Sequence, residues 1–80
     1  MKEGINLTEK ALGVRLNIKN NIRILRETNG LKMREIAQVL GIKENTYRVW
    51  EDTGKETVPK ADALVELAKI FNVSLDFLIR

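Results

Sequence analysis

The side chains best suited to specific hydrogen bonding lie in one short segment near the middle of the chain. On a helical wheel this segment places Asn45, Arg48 and Val49 on one side. The aromatic residues Tyr47 and Trp50 fall on the other side. An amide, a guanidinium and an apolar methyl are groups that contact base edges in the major groove of a DNA duplex. Base stacking is one use for the aromatic rings, but their position opposite the polar side predicts that they pack in a core.

The composition leaves little room for catalysis or for a metal site. The chain contains no histidine and no cysteine, and Ser74 is its only serine. Nucleophilic triads and the commonest transition-metal ligands are thereby excluded, so no catalytic residue, metal or cofactor is expected. The longest apolar runs, such as residues 77–79, have three residues, which excludes a membrane span. Because the first residues lack the apolar segment of a secretory signal, a cytoplasmic protein is expected.

The chain has 80 residues and a net charge of +3, and all of the excess lies in its first part. Residues 1–31 hold six basic and three acidic side chains, whereas residues 32–58 hold five of each and residues 59–80 three of each. A basic segment favours a polyanionic partner, although a net charge of this size is common in proteins of many functions.

Apolar residues recur at intervals of three and four, so the sequence predicts helices throughout. The first is expected over residues 16–28, where Ile18, Ile22 and Leu25 form one face. Four more are expected at residues 33–40, 44–52, 60–71 and 75–79. Residues 1–15 have poor periodicity and predict a short N-terminal arm, with room for a short helical turn after Thr8, which leaves residues 16–80 as one domain.

Several short motifs, taken in their order and spacing, point to one family. They are IRILR at residues 22–26, GL at 30–31, EIAQVLGI at 35–42, TYRVWE at 46–51, LVELAK at 64–69 and NVSLDFL at 72–78. With these motifs the chain resembles the Cro and phage-repressor type of helix-turn-helix domain, the Xre family, over about three quarters of its length. The resemblance implies an all-α fold, a compact five-helix bundle of the lambda-repressor-like type.

The resemblance also implies a sequence-specific, double-stranded DNA-binding transcriptional regulator, most typically a repressor. It would insert the helix at residues 44–52 into the major groove as a homodimer on a near-palindromic operator. Base contacts are then expected from Lys43, Glu44, Asn45, Arg48 and Val49. The family positions that form a partly buried ion pair are occupied by Arg26 and Glu51. Such a protein is expected in the bacterial cytoplasm, associated with the nucleoid, and encoded by the bacterium or by a phage. No site for a small-molecule effector is evident in the sequence.

Phosphate contacts are expected from basic side chains around this helix. A stripe on the first helix, formed by Arg15, Lys19 and Arg23, is either a phosphate track or a solvated face. Further phosphate contacts are expected at Lys32 and Met33, at the start of the second helix, and at Lys55 in the loop of residues 53–58.

Three of these positions depart from the family pattern. Lys32 stands where serine usually caps the helix, and a lysine side chain cannot accept the backbone N–H, which costs about 1 kcal/mol. Met33 replaces a glutamine that often contacts phosphate. The loop that carries Lys55 is longer than in most family members.

Three questions stay open at this level. Glu44 either accepts a hydrogen bond from cytosine N4 or stabilises the helix N-terminus through the helix dipole, and the dipole role is favoured because it needs no partner. The alternative to a DNA-binding regulator is a protein-interaction or antitoxin-type module that keeps the fold. For the homodimer, Phe77 or Ile79 in the last helix is the expected contact, and an arm containing Ile5, Leu7 and Leu12 is the rival.

Overall fold

Five α-helices make up the described part of the chain. The computed structural model describes residues 7–80, with side chains from residue 9 onward. The helices are α1 (Leu7–Thr28), α2 (Met33–Leu40), α3 (Glu44–Glu51), α4 (Ala61–Phe71) and α5 (Leu75–Ile79). The all-α fold class is confirmed, and α2 and α5 have the predicted bounds. The observed end of α3 and the observed start of α4 each lie within one residue of the predicted position.

The first helix is longer than predicted. α1 begins at Leu7 instead of residue 16, so residues 7–15 are helical, while residues 1–6 lie outside the described part. Residues 7–12 are mostly good helix formers, and adding turns to an existing helix costs far less than starting one. Gly13 within this stretch costs about 0.5–1 kcal/mol relative to alanine, and no described atom lies within 4 Å of the position that a Cβ would take there.

The connections between helices follow local rules. Gly41 ends α2 in the left-handed conformation, with φ of 71°, and the Ile42 N–H donates to the carbonyl of Ala37 at 3.0 Å. Asn72 ends α4 in the same way, with φ of 55°. Ser74 caps α5 by accepting the N–H of Phe77 at 3.0 Å. Each of these residues supplies the backbone geometry or acceptor that its helix end requires.

The core is formed by ten buried apolar residues, and every helix contributes to it. They are Ile18, Ile22, Ile36, Ala37, Tyr47, Trp50, Leu67, Ala68, Phe71 and Leu78.

α1 also holds the ends of two other helices through polar side chains. Its Asn21 amide donates to the carbonyls of Phe77, Leu78 and Arg80 at 3.3, 2.8 and 3.2 Å, which ties the end of α5 to α1.

Candidate nucleic-acid interface

One side of α3 is open to solvent, and we call it the recognition face. Its exposed members are Lys43, just before the helix, and Glu44, Asn45 and Arg48, and the half-buried Val49 lies at its margin. The structure therefore keeps all five residues predicted to contact bases on the same short helix or its first flanking position. Donors, acceptors and an apolar group are thus available together to one partner.

The opposite side of α3 is anchored by two aromatic rings. Tyr47 and Trp50 are both buried, as predicted, and their ring centroids lie 5.9 Å apart at an interplanar angle of 68°. Edge-to-face contacts of this kind add to the apolar area that the rings bury. The Tyr47 hydroxyl is buried without a hydrogen-bond partner within the described residues. Burial, and then the neighbouring Glu51 carboxylate, raise the pKa of this hydroxyl.

A second anchor is an ion pair between α1 and the end of α3. The Arg26 guanidinium donates to both carboxylate oxygens of Glu51, from Nε at 2.7 Å and from Nη2 at 3.1 Å. Its Nη1 donates to the carbonyl of Leu31 at 3.1 Å. The hydrogen bonds to Glu51 raise the pKa of Arg26. The pair expected from the family resemblance is thus present, and its fork-to-fork geometry resists rotation of α3.

A third anchor is Lys19, and here the structure corrects the sequence interpretation. Lys19 was expected on a surface stripe that contacts phosphate, but only 1% of the residue is exposed. Its Nζ donates to the carbonyls of Val49 at 2.9 Å, Trp50 at 3.4 Å and Thr57 at 2.6 Å. A side chain held in the interior by three carbonyls does not reach a phosphate. Lys19 is therefore removed from the phosphate-contact set.

The recognition face carries an ion pair of its own. Arg48 Nη2 lies 2.8 Å from Glu44 Oε2, and both side chains are about half exposed. The spacing of four residues on a helix favours such a pair, and this spacing was the sequence signal that would have predicted it. The Glu44 carboxylate also lies in the first turn of α3, where it complements the helix dipole. The Glu44 carboxylate thus already has a partner without DNA.

The remaining phosphate candidates differ in how accessible they are. Lys32 and Lys55 are exposed, whereas Arg15 and Arg23 are half-buried. Arg23 Nη1 lies 3.3 Å from Glu27 Oε1, so Arg23 must leave Glu27 in order to bind a phosphate. The Met33 side chain packs against the core. Only the backbone N–H of Met33, at the start of α2, is then suited to a phosphate.

One further basic feature was not recognised in the sequence. Lysine occupies the position before three helices: Lys32 before α2, Lys43 before α3 and Lys60 before α4, and none of the three side chains caps its helix. At Lys32 only the reverse bond is made, from its backbone N–H to Glu35 Oε1 at 2.7 Å. A cation at a helix N-terminus opposes the helix dipole, so this arrangement lowers stability unless an anion binds nearby.

A membrane span, a pocket and a metal-ligand cluster are absent from residues 7–80. No helix of this part is long and apolar enough to cross a membrane. The described residues also form no pocket, and they contain no cluster of acidic, histidine or cysteine side chains suited to a metal ion.

Comparisons with known proteins agree with this geometry. The chain matches a protein family described as helix-turn-helix over residues 22–78, a segment that includes α2, α3, α4 and most of α5. It is similar to a Bacillus subtilis (strain 168) protein named "Uncharacterized HTH-type transcriptional regulator YobD", with 34% identity over 58 residues. That alignment covers 72% of this chain and 50% of the Bacillus protein, so the chain spans about half the length of this relative. No solved structure matches the chain.

Proposed function

Since this chain belongs to the helix-turn-helix family of the Cro and phage-repressor (Xre) type, we propose that it is a sequence-specific regulator of transcription that binds double-stranded DNA through α3. The observation that carries the proposal is the way α3 is held. Buried rings, the Arg26–Glu51 pair and Lys19 fix one side, while the recognition face stays exposed. A helix anchored in this way presents its free side at a constant angle to the major groove.

Base recognition is assigned to the side chains of the recognition face. The Asn45 amide is suited to a bidentate contact with adenine, and Arg48 to guanine O6 and N7 or to a phosphate. Val49 is suited to the methyl group of thymine, and Lys43 lies where a base or phosphate oxygen approaches the start of α3. In the free protein Glu44 pairs with Arg48 and complements the helix dipole. For Glu44 to accept a hydrogen bond from cytosine N4, Arg48 must first move away from the carboxylate.

Phosphate contacts are assigned to the basic groups that surround the recognition face. They come from the exposed Lys32 and Lys55, from Arg15 and Arg23, and from the Met33 backbone N–H at the start of α2. Phosphate groups near Lys32 and Lys43 would also relieve the unfavourable lysines at these helix ends. These contacts position the domain and carry no sequence information.

We propose that the protein is a repressor that binds near-palindromic operators as a homodimer. In this dimer, α5 forms the contact between the two copies. Phe77 and Ile79 remain 42% and 37% exposed on this helix. The rival surface is the beginning of α1, where Leu12 is 49% exposed. Ile5 of the rival lies outside the described residues, as does the Leu7 side chain.

Light scattering on two matched variants separates these surfaces. Phe77→Asp and Leu12→Asp each place a charge on a comparably exposed apolar position. The α5 assignment predicts that Phe77→Asp is monomeric while Leu12→Asp remains dimeric. The reverse result would assign the contact to α1, and a monomeric wild-type protein would refute the homodimer.

A protein-interaction or antitoxin-type module is the second candidate function. The observations that favour it are an apolar side chain, Val39, which is 71% exposed on α2, and the Glu44–Arg48 pair, which neutralises charge on the recognition face. An exposed apolar side chain near a face with little net charge suits a protein partner better than a phosphate backbone.

The experiment that tests the proposed function is selection of bound sequences from a random DNA pool, followed by binding at two salt concentrations. Asn45→Ala is expected to lose about 1–3 kcal/mol on the selected site and little on random DNA. Lys55→Ala is expected to weaken both equally and to reduce the slope of log K against log salt by about one. Lys69→Ala, which removes an exposed lysine paired with Glu66 on α4, is the matched control.

Two results would contradict the proposal. A pool from which no sequence is enriched would favour the protein-interaction module. If a sequence is enriched but both Asn45→Ala and Arg48→Ala bind it as the wild-type protein does, a surface other than the recognition face reads the DNA.

A further inference from the structure

Lys19 is a cation in the interior, and no carboxylate of the described residues is its hydrogen-bond partner. Its three hydrogen-bond acceptors are backbone carbonyls: Val49 and Trp50 in the last turn of α3, and Thr57 in the loop that follows. An ammonium group has three N–H donors, so this set uses all of them. Burial lowers the pKa of Lys19, and the nearby charge of Asp52 acts in the opposite direction.

The position of these carbonyls explains why a cation belongs there. The last carbonyls of a helix have no partner within the helix, and they form the negative end of its dipole. Lys19 donates to two carbonyls in the last turn of α3, of which Val49 also accepts the Asp52 N–H at 3.1 Å, and adds a positive charge at that end. The same ammonium also holds Thr57, so α3 and the loop are fastened to α1 at one point.

The loop is ordered from its other end by Asp52. The Asp52 carboxylate accepts the Gly54 N–H at 2.9 Å, and the Asp52 carbonyl accepts the Lys55 N–H at 3.0 Å. The loop segment that carries Lys55 therefore runs between an attachment at Asp52 and one at Lys19. Lys55 lies between these attachments, while the recognition face lies on the helix that Lys19 caps.

We infer that Lys19 is a positioning residue for DNA recognition, an inference that rests on the proposed function. By holding the end of α3 and the loop to α1, it sets the angle of the recognition face and the place of Lys55 relative to each other. Base contacts and the loop phosphate contact then form together on one DNA duplex. Lys19 itself touches no DNA in this arrangement. Arginine is a poor substitute, since its planar guanidinium cannot converge on three carbonyls as a compact ammonium does.

The variant that tests this inference is Lys19→Met, which keeps the aliphatic stem and removes the three donors. Asn21→Leu is a matched control. It removes a side chain of α1 that also donates to three carbonyls, but those carbonyls belong to the end of α5. The two variants thus detach the ends of different helices from α1, and they remove three N–H donors at Lys19 and two at Asn21.

The first readout is amide hydrogen exchange, which needs no DNA. Lys19→Met is expected to speed exchange of the Asp52 and Lys55 amides by about tenfold more than Asn21→Leu does. Equal acceleration in the two variants would overturn the inference, because Lys19 would then contribute only to global stability. If Lys19→Met does not fold, Lys19→Gln, which keeps two N–H donors, takes its place in the same comparison. Equal acceleration in Lys19→Gln and Asn21→Leu would again overturn the inference.

The second readout is binding to a selected half-site and to random DNA. Lys19→Met is expected to narrow the ratio of these affinities by about tenfold. In a Lys55→Ala background, which has already lost the loop phosphate contact, Lys19→Met is expected to leave the slope of log K against log salt unchanged, whereas a direct phosphate contact by Lys19 would reduce that slope by about one. An unchanged ratio in a wild-type protein that prefers the half-site would refute the positioning role alone. A wild-type protein without any sequence preference would refute the proposed function itself.

Discussion

Removing either partner of the Arg26–Glu51 pair should destabilise the fold strongly, because the pair is screened from solvent. Only 14% of the Arg26 side chain and 4% of the Glu51 side chain are exposed. Breaking a buried pair by removing one partner costs about 3–5 kcal/mol, since the other charge is left without compensation. In a domain of this size each kcal/mol lowers the thermal midpoint by about 4–8 °C.

The two single variants should differ in magnitude. Arg26→Ala leaves the more buried Glu51 carboxylate unpaired and removes the donor to the Leu31 carbonyl, so we expect a loss of about 3 kcal/mol. Glu51→Ala leaves Arg26 with the Leu31 carbonyl and with Glu27, 3.9 Å away, so we expect about 2 kcal/mol. The double variant leaves neither charge of the pair and should lose about 3 kcal/mol, which corresponds to a coupling energy of about 2 kcal/mol.

Urea unfolding of the four proteins, followed by circular dichroism, measures this coupling. Replacing the pair by Met at position 26 and Leu at position 51 provides a control, since apolar residues of similar volume commonly restore much of the stability of a buried pair. Single losses that add to within about 0.5 kcal/mol would refute the reasoning, because independent side chains give additive effects. Such a result would mean that the pair does not anchor α3.

Three further predictions concern single positions. Lys32→Ser should raise the free energy of unfolding by about 1 kcal/mol, because serine caps α2, and should reduce the salt slope of DNA binding by about one if Lys32 contacts a phosphate. Gly41→Ala should lower stability by about 1 kcal/mol, because alanine is strained at a φ of 71°, whereas Gly13→Ala, within α1, should raise it by about 0.5–1 kcal/mol. Tyr47→Phe should change stability by less than about 0.5 kcal/mol, since the buried hydroxyl it removes has no hydrogen-bond partner among the described residues. A larger loss in urea unfolding would show that the hydroxyl bonds to Glu51.

Much of the fold could be predicted from the sequence because its signals are local. The bounds of α2 and α5 follow from Gly41 and Ser74, residues whose backbone or side chain ends or begins a helix by itself. The burial of Tyr47 and Trp50 follows from helical periodicity. The start of α1 was missed because residues 7–15 have no strong periodicity, and the helix there extends one that is already formed downstream.

The polar anchors of α3 required more than the sequence pattern. A helical wheel places Lys19 beside Arg15 and Arg23, and lysine is so seldom buried that a surface position was the reasonable expectation. The Arg26–Glu51 pair was expected only through the family resemblance, because nothing in the two positions, 25 residues apart, indicates contact.

The sequence alone therefore determined which segments are helical, where most of them end, and which side of α3 is apolar. Each of these depends on residues within a turn or two of one another. Tertiary structure decided which polar groups meet. Lys19 reaches Thr57, 38 residues away, only because α1 and α3 pack at one particular angle. The packing of the whole core sets that angle. A hydrogen bond is lost when its donor and acceptor move apart by about 1 Å or less. Periodicity specifies a helix face but not this distance, so the anchors that orient the recognition face became visible only in the folded chain.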